Sequence, residues 1–370
     1  MKFSCSQSTL VKALNIVSKA VTSRTTIPIL KGILIKVDEE GFITMSASDL
    51  DISIEDKFEV VDFEPGEIVV QAKLFGDIIR KLPADIIYIE EKDGNLIIKC
   101  SSSEFNIVGS PSDEFPNINV GEEGELLTLD REILKEMIKK TTFAASVDES
   151  RGVITGVLFE IKDDQFNMVA LDGFRMAVTR EMTNNGFEKN IVIPARTINE
   201  VAKIITESES EKETVNLIIS DKRATFEIDN VKAVVRLLDG DYVKYNDIIP
   251  KESQIRIVLN RTDLMNAIER ASLFAKVGKN NLIKLDIREN EMEITSKSEE
   301  GNVREEVYIS RDGKDLVIGF NSKYLLDSLK VIDEENIAML FNTPVSPCLI
   351  RPIEGNDFEY LVLPVRITNL

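Results

Sequence analysis

The chain of 370 residues carries 45 Lys and Arg against 64 Asp and Glu, a formal net charge of −19, and no histidine at all. That absence removes histidine-based triads, histidine-ligated zinc or iron, and the usual general base at neutral pH. A hydrophobic share of 43% and a charged share of 29% fit a globular chain with sizeable cores, and the length predicts two or three domains rather than one.

From the N-terminus, Lys12 follows the apolar pair Leu10-Val11, and no apolar run approaches the length of a membrane span. Neither a transmembrane segment nor a secretory leader is expected, and the predicted location is the cytoplasm. The first predicted helix covers residues 8–20, behind a capping Ser6, with Leu10, Ala13 and Leu14 at helical spacing. Alternating β-branched residues then predict a strand at Ile33–Val37. A second helix is predicted over 71–82, followed by strands Ile86–Ile89 and Leu96–Lys99 around the turn Asp93-Gly94-Asn95. After a linker at Val120–Glu125 the pattern starts again, with a helix over 130–143 behind Asp130 and another over 195–207, then strands Val215–Ile219 and Ala224–Ile228. A second linker at Ile249–Ser253 precedes a third round: strand Ile255–Leu259, helix 261–276 behind Asn260, strand Met292–Ser296 and helix 321–331.

The fold class expected is therefore α+β, with three repeated domains at 1–122, 123–251 and 252–370, each placing two helices on antiparallel sheets. Ala170-Leu171-Asp172 echoes Ala47-Ser48-Asp49, so these two aspartates are predicted to serve the same turn in two repeats. Cys5, Cys100 and Cys348 never form C-x-x-C and read as buried small hydrophobes. No G-x-G-x-x-G and no P-loop occurs, and neither a metal nor a cofactor is implied.

Charge is unevenly shared. The six helical segments hold 16 Lys and Arg and 9 Asp and Glu, inside a chain that is acidic overall. If the helices share one surface, Lys12, Lys73, Arg80, Lys81, Lys139, Arg196 and Lys203 would attract phosphate without reading sequence. The other reading is that Lys and Arg are good helix formers on solvated faces.

Several segments together resemble the family of β subunits of bacterial DNA polymerase III, the sliding clamps. They are Met1-Lys2-Phe3, Arg24-Thr25-Thr26-Ile27-Pro28, Ala170-Leu171-Asp172-Gly173-Phe174-Arg175-Met176-Ala177, Gly319-Phe320-Asn321-Ser322-Lys323-Tyr324 and Tyr360-Leu361-Val362-Leu363-Pro364-Val365-Arg366. The resemblance implies a non-catalytic processivity factor: a homodimeric ring whose helices line a hole around duplex DNA. It adds Arg24 to the DNA-contacting residues, whereas Gly152 and Val153 stand where some relatives carry aromatic residues. Phe105 and Ile107 of one copy would meet Leu273 and Phe274 of the other.

The replicative polymerase, the clamp loader and repair proteins would each insert a short Gln- and Leu/Phe-containing peptide into an apolar pocket between the second and third domains. By the same resemblance its wall comprises Ile154, Leu171, Gly173, Phe174, Arg175, Met176, Val243, Asp247, Ile248, Asn321, Tyr324, Val345, Pro347, Leu361, Val362, Leu363, Pro364, Val365 and Arg366. Four of these depart from the frequent family residues: Phe174 replaces His, Val365 replaces Met, Val243 replaces Pro, and Asp247 replaces a basic residue. The terminal segment should leave its sheet at Pro364, with Leu363, Val365 and Ile367 on one side. Two other readings are a repeat scaffold that binds proteins without DNA, and a hydrolase working through carboxylates such as Asp49 and Asp172.

Overall fold

Each of six helices begins where a strand ends, with no intervening loop. In the computed structural model, which describes residues 1–22, 25–116, 118, 123–183, 186–208, 212–277 and 281–367, these are α1 (Gln7–Val17), α2 (Ala72–Lys81), α3 (Arg131–Thr142), α4 (Ala195–Glu207), α5 (Arg261–Ala275) and α6 (Ser322–Lys330). The last residue of the strand supplies the cap in four of them. Ser6 Oγ accepts from the Thr9 amide, Asp130 Oδ1 from Glu132 and Ile133, Asn260 Oδ1 from Thr262 and Asp263, and Asn321 Oδ1 from Lys323. Each cap satisfies one or two of the amides a helix start leaves open, a contribution of about 1 kcal/mol. All six predicted helices are present; residues 18–20, predicted as the end of α1, tighten into a 3₁₀ turn.

The buried faces follow the predicted spacing. Leu10, Ala13, Leu14 and Val17 of α1 and Leu264, Ala267, Ile268 and Ala271 of α5 are almost wholly removed from water. Burying a leucine side chain contributes roughly 1.5–3 kcal/mol, so these stripes fix each helix on its sheet.

The chain forms two compact units, one of Met1–Lys135 with Arg196–Leu237 and one of Glu136–Ala195 with Leu238–Leu370. Every strand pairing is antiparallel. In the first unit thirteen strands form one sheet, because Val231–Arg236 of the second repeat pairs with Ile52–Glu59 of the first, from Val231 opposite Asp56 to Val235 opposite Ile52. In the second unit a nine-stranded sheet is joined in the same way. There Arg175–Met182 of the second repeat pairs with Phe358–Val362 of the third, from Arg175 opposite Val362 to Thr179 opposite Phe358. Four strands, Leu282–Ile287, Glu291–Ser298, Gly301–Tyr308 and Leu316–Asn321, make a third sheet.

Among the open strand edges of the described residues, two lie near the expected contact between copies. Ser103–Ser110 pairs along its length with Asn95–Cys100, but on its other side only Gly109 and Ser110 are bonded. Gly301–Tyr308 has a neighbour on one side only. The three cysteines are free and buried, and burial pushes the Cys5 thiol up to about 12, which keeps it protonated and inert.

Candidate functional site

The hairpin joining Gln165–Leu171 to Arg175–Met182 turns on Asp172. Its Oδ1 accepts from the amides of Phe174 (2.8 Å) and Arg175 (3.0 Å), and its own amide donates to the Arg175 carbonyl. Gly173 takes φ +87°, a left-handed conformation that a hairpin turn requires and that glycine adopts without strain. Asp49 builds the same turn in the first repeat, accepting from Asp51 and Ile52. Both carboxylates are thus occupied with backbone amides, and the hydrolase reading loses its two named residues.

Immediately after the turn, Arg175 is only 8% exposed. Its Nε meets Asp172 Oδ2 at 3.1 Å, its Nη1 meets Asp327 Oδ2 at 2.6 Å, and its guanidinium lies 4.8 Å from the Tyr324 ring centre. Burial works against the Asp327 charge, but hydrogen bonds from Lys323 and Arg175 prevail and hold its carboxyl below the usual range. The Phe174 ring stacks on Tyr324 at 6.0 Å, so an aromatic pair stands beside a fixed cation. Phe174 therefore adds apolar surface and no titrating group.

An apolar floor extends from this corner. Ile154, Leu171, Met176 and Leu361 are buried in one cluster with Leu158, Val178, Tyr245, Leu340 and Leu349. Above it, Val243, Ile248 and Val345 are exposed, Val345 at 72%, and Pro347 is half-buried. Val362 is fully buried outside that cluster, as strand alternation requires of the neighbour of Leu361. Asp247 is exposed at the end of a 3₁₀ turn, and Asn321 spends its carbonyl on capping α6.

The terminal segment borders the same corner. The strand ends at Val362, two residues before Pro364, and the Leu363 amide extends its pairing by one bond to the Phe174 carbonyl (2.8 Å). Val365 then donates to the Gly319 carbonyl (2.8 Å), and a Cβ on Gly319 would lie 2.7 Å from the Val365 oxygen. Leu363 and Arg366 are exposed while Pro364, Val365 and Ile367 are half-buried, so the expected common face is broken at Leu363. Sequence reading missed Asp327, Leu340 and Leu349. The Lys323–Asp327 spacing marks a helical ion pair, but nothing in it announces Arg175 as a third member.

Of the basic helix residues, Lys12, Lys73, Arg80, Lys81, Lys139, Arg196 and Lys203 are all exposed. Arg80 lies near Asp77, Lys139 near Glu136 and Asp333, Arg196 near Asp49, and Lys203 near Glu200. Such exposed pairs are weak and exchange readily for another anion. Arg24 lies outside the described residues.

At the two open edges, Phe105 is 38% exposed and Ile107 only 7%, whereas Leu273 is 64% exposed and Phe274 half-buried. Glu305 is held by Arg270 and Glu306 by Arg304, and Glu104 by Lys99.

Three domain families match in succession: the DNA polymerase III beta subunit N-terminal domain over residues 1–119, its central domain over 128–244 and its C-terminal domain over 246–366. A beta sliding clamp of Bacillus subtilis (strain 168) is 37% identical over 380 residues, covering 99% of this chain and 100% of its own. Among solved structures, the DNA polymerase sliding clamp from Bacillus subtilis superposes with a TM-score of 0.95 at 35% identity, covering 100% of both chains. A putative DNA polymerase III beta subunit from Eubacterium rectale ATCC 33656 does so at 0.93 and 36%, covering 99% of both. A chain with these three domain matches in order, near-complete coverage by relatives above 30% identity and the same three-domain α+β fold belongs to the DNA polymerase III beta subunit family, the beta sliding clamps.

Proposed function

We propose that the chain is a DNA polymerase processivity factor, a topological tether of three clamp domains at 1–122, 123–251 and 252–370, two copies of which close around duplex DNA in the cytoplasm. The observation that carries this reading is the family match in three successive domains over nearly the whole chain. No bond is made or broken in this role. Exposed Lys73 and Lys81 on α2, neither with an acidic partner among the described residues, and the weakly paired Lys139, Arg196 and Lys203 would meet phosphates loosely and without sequence preference.

Replicative polymerase, clamp loader and repair proteins would dock a short peptide on the corner built by Phe174, Arg175, Tyr324 and the segment Leu363–Arg366. Its Leu or Phe anchors would enter over the Leu171, Met176 and Leu361 floor, and its polar end would face the Arg175 region. Open edges at Ser103–Ser110 and Gly301–Tyr308 would pair between copies, with Phe105 and Leu273 as apolar contacts.

The test is retention on DNA. The protein is loaded on a nicked circle by a clamp loader, and the circle is then cut once. Expected is quantitative release on linearisation and retention on the uncut circle; equal retention on both refutes the topological reading. The triple variant Lys73→Glu, Lys81→Glu, Lys203→Glu should shorten residence on circles of any sequence.

A further inference from the structure

Beside the apolar floor lies a cavity of about 350 Å³ that shares only Pro347 with the peptide pocket described above. One wall is the segment 249–253. The other is one face of the nine-stranded sheet, from which Leu340, Leu349, Arg351 and Glu359 line it. Two of these, Leu340 and Leu349, also belong to the floor cluster, so the cavity borders the floor.

Strand register explains what sits there. Leu349 pairs with Leu361, and Ile350 with Tyr360. One step further along, Arg351 comes opposite Glu359, a pairing that would ordinarily neutralise both. Glu359 is taken instead by Arg180, whose Nη2 lies 2.6 Å from its Oε2 and whose Nη1 donates to the Asn356 carbonyl at 2.8 Å. One carboxylate thus stands between two guanidinium groups, and Arg351 is left over. Its buried Nε has no hydrogen-bond partner, and its side chain has no ion pair among the described residues. With Glu359 neutralised by Arg180, the remaining charged lining is Arg351 and Lys251 against Glu252, an excess of one positive charge. The facing wall is fixed in place: Asn342 donates to the Glu252 carbonyl and accepts from the Gln254 amide.

We propose that this cavity is a carboxylate subsite that extends the peptide pocket, in which Arg351 receives an Asp or Glu side chain of a partner peptide. The inference rests on the peptide-pocket reading above. Arg351 lies two residues beyond Leu349 on its strand, roughly 7 Å along it, which is the reach of two extended residues. The acidic residue therefore stands two or three positions beyond an apolar anchor. A planar guanidinium can donate to a carboxylate bidentately from its two Nη groups, which a lysine does not reproduce.

Calorimetry on the full chain tests this with C-terminally amidated peptides. Each carries a Gln-Leu-Phe anchor extended at one end or the other by three alanines, or by the same extension with glutamate. Expected is about tenfold tighter binding of one acidic peptide, shrinking as salt is raised. Arg351→Gln should erase that gain, Arg351→Lys should keep part of it, and the alanine peptides should bind all three proteins alike. Equal affinity for acidic and alanine peptides on the natural chain overturns the subsite, as does a gain that survives in Arg351→Gln. If neither peptide binds, the pocket reading itself fails and the subsite with it. Should Arg351→Gln melt early, the alanine–glutamate comparison on the natural chain and on Arg351→Lys decides.

Discussion

Leu50 occupies the turn position that Gly173 fills in the second repeat, and it does so at φ +76° against +87°. A leucine in that region brings its Cβ against the following carbonyl, a strain of roughly 1–2 kcal/mol. Its own amide donates to Ser48 Oγ, and the Asp51 and Ile52 amides donate to Asp49 Oδ1, which holds it there; its side chain, 52% exposed, gains little by packing. Leu50→Gly should therefore raise stability by about 0.5–1 kcal/mol, seen as a higher urea midpoint with the slope unchanged, the relief being reduced by glycine's freedom in the unfolded chain. A lower midpoint would show that Leu50 packs more than its exposure suggests. Asp56 is strained differently. It is 3% exposed at the junction of the first two repeats, and burial raises its carboxyl to about 6 despite the hydrogen bond from Asn230. The unfolded chain releases this proton near 3.8. The folded state binds it more tightly, so the associated stability is complete below 3.8 and is lost as pH rises through about 6. Asp56→Asn keeps an acceptor for Asn230 and should exceed the parent by roughly 2–3 kcal/mol at pH 8 while matching it near pH 3.5. Melting curves at both values check this, and a gap independent of pH would exclude the titration.

Among the elements, the terminal segment after Val362 is the one whose removal separates binding from folding. It is tied down by the Leu363 and Val365 amides and by close approach to Gly319. Two backbone hydrogen bonds contribute about 1 kcal/mol each, so deleting residues 363–370 should lower Tm by only about 4–8 °C. Binding of a Gln- and Leu/Phe-containing peptide should be lost. Retained affinity would remove the segment from the site, and global unfolding would make it a core strand. All six helices were legible in the sequence because an apolar stripe marks each of them and a cap residue marks the start of four. Strands were legible where they alternate, as at Ile255–Asn260. Val61–Glu64 and Ser310–Asp312 were not, since short exposed edge strands carry no buried face to set a pattern. The pocket was legible only through the family resemblance of segments such as 170–177 and 360–366. Leu340 and Leu349 look like any core leucine until the sheet register brings them beside Leu361.

At the scale of the molecule, sequence repetition and compactness part company. Periodicity reveals three similar stretches of chain, but the choice of which edge pairs with which is made by residues far apart, Ile52–Asp56 with Val231–Val235 and Arg175–Thr179 with Phe358–Val362. The same logic predicts self-association through the edges that remain open. Sedimentation should find a dimer at micromolar concentration, and Leu273→Ala with Phe274→Ala should shift it to monomer; a natural chain already monomeric there contradicts the assignment. The junctions also set a timetable for synthesis. The first unit needs Arg196–Leu237 before its sheet is complete, while the intervening Glu136–Ala195 has to wait for Leu238–Leu370. As the chain leaves the ribosome, the strand Arg175–Met182 is made about midway, yet its partner Phe358–Val362 is among the last segments to appear. Its apolar edge stays unpaired for nearly half of translation, which makes closure of the second unit a late, slow step of high contact order.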